Sequence, residues 1–214
     1  VGGELVRGAC RREERSQERA TMKSITRTVL TAAAVLAASA SAWAQAGTFT
    51  LDKVHSNVVF KVGHMGVANM YGIIHGPEGT YSLDFANPSA SKLEIKVLTE
   101  NIDTGNEGRD RHLKSPDFFD VKQFPEITFV GKQFEKSGDK GMKVTGELTM
   151  LGKTKPVVVT LSFVGEGETK QGYKSGFEAQ FTVKRSEFGM TKYLEGNAIS
   201  DEITLMVAVE GKKE

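Results

Sequence analysis

The chain has 214 residues, 39% of them hydrophobic and 26% charged, with 28 Lys and Arg against 27 Asp and Glu for a formal net charge of +1. A balance this close to zero gives no electrostatic reason to expect nucleic acid or an anionic membrane surface as a partner. The only cysteine, Cys10, excludes a disulfide framework.

The first stretch, residues 1–21, "VGGELVRGACRREERSQERAT", is highly charged and almost free of large apolar residues. It precedes "MKSITRTVLTAAAVLAASASAWAQA" (22–46), where Lys23 and Arg27 lead into an uncharged run from Thr28 to about Ala38 and then Ala42-Trp43-Ala44. That is the layout of a secretory signal peptide, with cleavage expected after Ala44 and Ala46 as the alternative. Met22 is read as the biological start, and residues 1–21 as a non-native or mis-assigned upstream segment. The apolar run is shorter than the roughly 20 residues a bilayer crossing needs, so no permanent span is expected. Residues 1–44 carry seven of the bases and four of the acids, which leaves 21 bases, 23 acids and a formal charge of −2 for residues 45–214. This remainder contains no cysteine and must be held by its core, for which about 170 residues suffice as one domain.

From Thr48 onward the apolar residues recur at period two, the mark of strands with one buried face. A short strand near Phe49 is followed by Ser56 to His64, which puts Val58, Phe60 and Val62 on one side and Asn57 and Lys61 on the other. A less regular strand runs from Ile73 to Phe85, and Leu93, Ile95 and Val97 repeat the alternation. Later come Ile127 and Phe129; Met142, Val144, Leu148 and Met150; Val157, Val159, Leu161 and Phe163; Phe177, Ala179, Phe181 and Val183; and Ile203, Leu205, Val207 and Val209. Turn signals stand between them at "SGDKG" (137–141), "LGKTKP" (151–156) and "GEGETKQG" (165–172). Some eight or nine alternating strands with short connections predict an all-β protein, a single antiparallel eight-stranded barrel, because closure removes the exposed edges. Such a barrel is wide enough for side chains or for one small ligand. The inward residues are aliphatic and aromatic, so an enclosed ligand would be apolar; periodicity leaves a filled barrel equally open.

One stretch breaks the period: "RDRHLKSPDFFD" (109–120). Thr104-Gly-Asn-Glu107 fits a capping box, which predicts a helix from there to about Lys114. Ser115-Pro116 predicts a second cap and one more turn through Phe118 and Phe119. Arg109, His112 and Leu113 would share a helical face, and Asp110 and Lys114 would form an exposed pair. In this short helical crossover Arg109 and His112 have two readings. Either they tie the helix to acids and carbonyls at the rim while the phenylalanines cap the interior, or they sit at the mouth and hold an amphiphile's polar head.

No catalytic constellation has diagnostic spacing. Gly152-Lys153-Thr154 resembles the end of a phosphate-binding loop, but Gly146 and Gly152 enclose five residues rather than four and the flanks alternate as a hairpin. His55, His64, His75 and His112 show no helical metal spacing, and a structural or surface role is expected for them. There is no G-x-S-x-G elbow, and Ser56 lies at the start of a strand. No enzyme activity, metal or cofactor is expected beyond a bound lipid.

Four ordered motifs, "LDKVHSNVVFKVGHMG" (51–66), "DTGNEGRDRHLKSPDFFDVKQFPEITF" (103–129), "GELTMLGKTKPV" (146–157) and "RSEFGM" (185–190), resemble the YceI family of bacterial periplasmic proteins over essentially all of 45–214. The resemblance implies a lipocalin-like antiparallel barrel in the periplasm whose apolar lumen binds an isoprenoid lipid, such as a polyprenyl phosphate or the tail of a quinone. The expected lumen residues are Val58, Phe60, Val62, Leu93, Ile95, Phe129, Leu148, Leu161, Phe181 and Leu205, with a head-group position at Arg109 and His112. "NMYGIIHGPEGTYSLD" (69–84) departs from the family pattern, which bears on chain-length or head-group preference. A homodimer is left open. Two other classes remain: a small periplasmic enzyme acting on an amphiphilic substrate, which needs a compact polar cluster in the lumen, and a stress-related interaction protein with a filled barrel.

Overall fold

The computed structural model describes residues 47–214; the expected signal peptide at 22–44 and the upstream segment 1–21 lie outside the described residues. The alternation resolves into eleven strand segments: β1 (Phe49–Leu51), β2 (Asn57–His64), β3 (Ala68–His75), β4 (Glu78–Ser82), β5 (Lys92–Leu98), β6 (Ile102–Asp103), β7 (Glu126–Lys136), β8 (Gly141–Met150), β9 (Lys153–Thr169), β10 (Gly172–Lys184) and β11 (Ile199–Lys213). One helix, α1 (Glu107–Leu113), lies between β6 and β7. The segments occupy eight positions, because the first three strands of the meander are each broken once. β1 and β2 both run along β11, β4 and β3 pair with β1 and β2 respectively, and β5 and β6 pair with β4 and β3. From β7 onward each strand pairs antiparallel with the next, and β1 closes on β11 through Phe49↔Lys213 and Leu51↔Gly211. The result is a closed eight-stranded antiparallel barrel with one helical crossover.

The breaks have local causes. Gly76, with φ of 65°, and Pro77 interrupt the strand between β3 and β4. A 3₁₀ turn at Thr99–Asn101 separates β5 from β6. The turns are tighter than their sequence signals: only Leu151 and Gly152, with φ of 51° and 70°, connect β8 to β9. "GEGETKQG" is mostly strand, with its reversal at Lys170 and Gln171, because Thr169 already pairs with Gly172.

The crossover differs from the expected capping. Asn106, not Thr104, is the N-cap of α1, and its side chain accepts from the Arg109 backbone N–H at 2.9 Å. Thr104 is engaged elsewhere, since its hydroxyl bonds Asp110 and accepts from Arg109 Nε. Asp110 therefore does not pair with Lys114, which reaches Glu100 at 3.2 Å. Ser115-Pro116 opens a turn rather than a helical one, with the N–H groups of both Phe118 and Asp120 donating to the Ser115 carbonyl.

The two ends of the barrel are packed differently. Around β1, the rings of Phe49 and Tyr81 stack at 5.3 Å and Tyr81 meets Phe177 edge-on at 5.0 Å, over Met142, Val144 and Leu161. The Tyr81 hydroxyl donates to the Ser175 carbonyl at 2.8 Å, and burial pushes it up to about 12. Gly211 makes room for it: a Cβ there would stand 2.7 Å from the Tyr81 ring and hydroxyl. This end is a solid plug.

Beside it, the turn after β1 is pinned to the far strands. Lys174 of β10 contacts Asp52 at 2.9 Å and Glu210 of β11 at 2.8 Å, and His55 contacts Asp52 at 3.0 Å. His55 and Lys174 together hold the Asp52 carboxyl well below the usual carboxylate range. A carboxylate depressed in the folded state contributes stability above its unfolded value, near pH 4, and loses that contribution as pH falls through the folded value. Asp52→Asn is therefore expected to lower the melting temperature at pH 6–7, with the gap to the unsubstituted protein closing as the pH is taken from about 4 toward 2; thermal melts across that range read it directly.

Candidate functional site

Toward the other end the lumen is not filled. A cavity of about 550 Å³ lies within the barrel, inside the range of small-molecule sites. Its floor is the plug, through fully buried Leu161 and Phe177, and its exposed wall residues His64, Tyr71, Gly108 and Tyr193 mark the opposite end as the mouth. All ten expected lumen residues line it: Val58, Phe60, Val62, Leu93, Ile95, Phe129, Leu148, Leu161, Phe181 and Leu205. Period two puts them there, since odd positions on β5, β7, β9, β10 and β11 and even positions on β2 and β8 face inward. Gly72 on β3 has a particular part in shaping the wall, since a Cβ there would come within 2.2 Å of the Phe60 ring, which lies flat across the strand.

Two elements cross the mouth. One is α1 with the turn after it, contributing Arg109, His112, Leu113, Phe118 and Phe119 to the cavity wall. The other is the β10–β11 connection, contributing Met190 and Tyr193. They are joined by charge and by rings. The Asp117 carboxylate meets His112 Nε2 at 2.9 Å and Lys192 at 3.1 Å, and these two partners hold it below its ordinary range. His112 packs edge-on against Phe118 at 5.0 Å and against Tyr193 at 6.1 Å. Arg109 donates from Nε and Nη2 to the hydroxyl and carbonyl of Thr104, each at 2.7 Å. Both expected head-group residues thus anchor the crossover and border the cavity at once.

Arg185, at the end of β10, escaped the sequence reading. It is 2% exposed, lines the cavity, and donates to four backbone carbonyls of the β10–β11 connection and the start of β11: Met190, Lys192, Ile199 and Ser200, at 2.8–3.0 Å. Burial pushes its guanidinium down from its usual range, with Asp201 acting in the opposite direction. Strand parity was the available signal, because Arg185 continues the inward series Phe177, Ala179, Phe181, Val183. Among the described residues the wall carries two arginines and two histidines but no Asp or Glu.

Nothing in the lumen is arranged as a nucleophile with a base. Ser56 is buried at the plug end, its hydroxyl donating to the Glu210 carbonyl and accepting from the Glu210 N–H, while His55 faces Asp52. Asp52, His55 and Glu210 lie close enough to ligate an ion, but the Lys174 ammonium already sits between the carboxylates. Among the described residues no helix is long and apolar enough to cross a membrane.

A family model described as YceI-like domain matches residues 49–211. A UPF0312 protein of Pectobacterium atrosepticum is 36% identical over 186 residues, covering 86% of this chain and 95% of that protein. A YceI protein of Campylobacter jejuni superposes with a TM-score of 0.63 at 32% identity, covering 72% of this chain and 91% of that one. A polyisoprenoid binding domain from Saccharophagus degradans superposes with a TM-score of 0.60 at 11% identity, covering 78% and 98%, a likeness of fold.

Replacing Arg185 tests how the mouth is held. Arg185→Met leaves four carbonyls without their donor and is expected to cost about 3 kcal/mol or more in urea unfolding, because buried unpaired acceptors carry their full desolvation penalty. Amide exchange over residues 190–198 should accelerate with it. Arg185→Lys should recover only part of the loss, since an ammonium has three donors and no planar fork.

Proposed function

The chain belongs to the YceI-like family, and from that premise we propose that it is a periplasmic carrier that encloses an isoprenoid lipid in the barrel lumen, rather than an enzyme. The observation that carries the reading is the cavity itself: apolar walls, a solid floor, and a polar mouth where Arg109 and His112 border the lumen while Asp117, outside the lining, joins His112 to Lys192. A volume of about 550 Å³, at the roughly 24 cal/mol per Å³ that core cavities cost, corresponds to on the order of 10 kcal/mol of forgone packing, comparable to the whole stability of a domain. Water offsets little of this, because an ordered water needs two to four polar partners and the deep walls offer hardly any. An apolar chain recovers it. At about 25 cal/mol per Å², several hundred Å² of sequestered hydrocarbon contribute on the order of 10 kcal/mol before ordering costs. The likeness in fold to a polyisoprenoid binding domain supports an isoprenoid as that chain, and the signal-like segment at 22–44 supports the periplasm.

The lipid's tail lies among the ten lumen residues and its head at Arg109 and His112. The described cavity wall holds no carboxylate, and although His112 is shared with Asp117 at 2.9 Å, an anionic head such as a phosphate is favoured at Arg109 over a neutral quinone ring. Arg109 makes its two bonds to Thr104 alone and has no carboxylate partner, so donors remain for a head group.

Mass spectrometry of organic extracts from natively purified protein is expected to find a prenyl lipid at near-stoichiometric amount. Clean protein that also takes up no prenyl lipid in vitro would remove the carrier reading. Arg109→Gln with His112→Gln is expected to weaken a prenyl phosphate by on the order of tenfold to a hundredfold while changing the corresponding prenyl alcohol little; equal losses for both in a binding titration would refute the head-group assignment.

A further inference from the structure

An insoluble lipid has to enter the barrel from somewhere, and the outside of the mouth carries a feature that the lumen does not explain. The turn between β2 and β3 projects Met65 and Val67, 64% and 84% exposed. With Tyr71 and Tyr193 they make up four of the seven large hydrophobic side chains exposed among the described residues, and all four belong to the mouth end. Met65, with φ of 54°, and Gly66, with φ of 69°, turn the chain back so that the flanking side chains stand outward. The Met65 N–H donates to the Ala198 carbonyl at 2.9 Å, tying the tip to the β10–β11 connection that crosses the cavity. His64 and Tyr71 of the same hairpin, and Tyr193 of that connection, border the cavity itself. Apolar tip and entrance are one continuous surface.

We infer that the β2–β3 tip is a docking device for a lipid bilayer, seating the mouth on the membrane from which the cargo is taken or to which it is given. The inference rests on the carrier reading for its purpose but not for its test. Two side chains are far too small a surface for a stable protein partner, which needs about 800 Å² on each side. They do suit a bilayer, where apolar side chains insert singly beneath the headgroups and tyrosines sit at headgroup level. Charge agrees: from Lys53 to Pro77 the chain holds no Asp or Glu, so nothing on the hairpin repels lipid phosphates. The near-neutral balance of the chain provides no long-range attraction, which makes docking shallow, reversible and weakly dependent on salt. A loose seat of this kind lets a carrier leave again with its load.

The test compares two tryptophan probes on phosphatidylcholine vesicles, each read against the unsubstituted protein, whose single tryptophan is Trp43. Val67→Trp is expected to shift its emission to the blue and to be quenched by brominated phosphatidylcholine. Val54→Trp, at an equally exposed valine (80%) beside the plug, should do neither. Equal responses at both positions, or none at Val67→Trp, would overturn the inference. So would a blue shift at Val67→Trp that appears without vesicles and grows with protein concentration, which would make the tip a contact between copies. In a transfer assay, Met65→Ser with Val67→Ser should slow uptake of a fluorescent prenyl phosphate from vesicles by on the order of tenfold or more. Uptake from detergent dispersion should be unchanged, since neither residue lines the lumen. Unaltered transfer from vesicles would overturn the role in loading. Should the protein take up prenyl lipid from neither source, the carrier reading falls while the tryptophan probes still decide the docking.

Discussion

The first strand position joins the last through both of its segments, β1 from Phe49↔Lys213 to Leu51↔Gly211 and β2 from Ala208↔Asn57 to Ile199↔His64, and without this seam the meander would be an open sheet. Closure satisfies the backbone donors and acceptors that two edges would otherwise expose. It also imposes a geometric obligation: every second residue of eight strands now faces one enclosed space, which must be packed or occupied. The clasp of Ser56 on both backbone groups of Glu210 and the contacts of Lys174 with Asp52 and Glu210 all fall beside this seam. These side-chain ties thus fall where the first strand is interrupted, between β1 and β2.

The obligation is met differently at the two ends. Near the seam, Phe49, Tyr81 and Phe177 interlock, and Gly211 lets the tyrosine lie against the strand. Farther along, inward residues of similar size line a cavity instead, because the first three strands each break and spread around the crossover. Helix α1 and the β10–β11 connection span the opening rather than plugging it, held by His112, Asp117 and Lys192 on the outside and by Arg185 beneath. The exposed pairs among these contribute little each, because solvent screens them. The buried Arg185 fork is the firmer tie. Arg185 thus ties the β10–β11 connection to the barrel more firmly than the exposed pairs tie that connection to α1.

Much of this was legible in the sequence because period two is a local signal with a global meaning. Once Phe60, Leu148 and Phe181 are known to alternate with polar residues, closure alone makes them neighbours in one lumen. The breaks were harder: Gly76-Pro77 carries a turn signal inside a run of strand residues, while nothing in the residue types of Thr99–Asn101 marks a 3₁₀ turn. The helix cap was misplaced for a different reason. Thr104 has the residue type for the cap, but Asp110 and Arg109 compete for its hydroxyl, leaving Asn106 to accept the first free N–H. Whether the lumen is filled or hollow turns on ring orientations and strand spread, which no pattern of residue types contains. Arg185 was within reach by parity alone; a charged residue on an inward register is what such a count is apt to pass over.

The sign of charge at the entrance links the interior to the membrane side. Arg109 and Arg185 both border the cavity without a contacting carboxylate; Arg109 donates to the Thr104 hydroxyl and carbonyl, and Arg185 to four backbone carbonyls, which temper a cation without cancelling it. A carboxylate in either place would have fixed the arginine and left nothing for a ligand. Carbonyl partners orient the guanidinium, hold the crossing elements in place, and leave its charge unneutralised. The same end presents an acid-free hairpin with an apolar tip. An amphiphile with an acidic head therefore meets no carboxylate on that hairpin or in the described cavity wall, and its tail exchanges one apolar phase for another along that path.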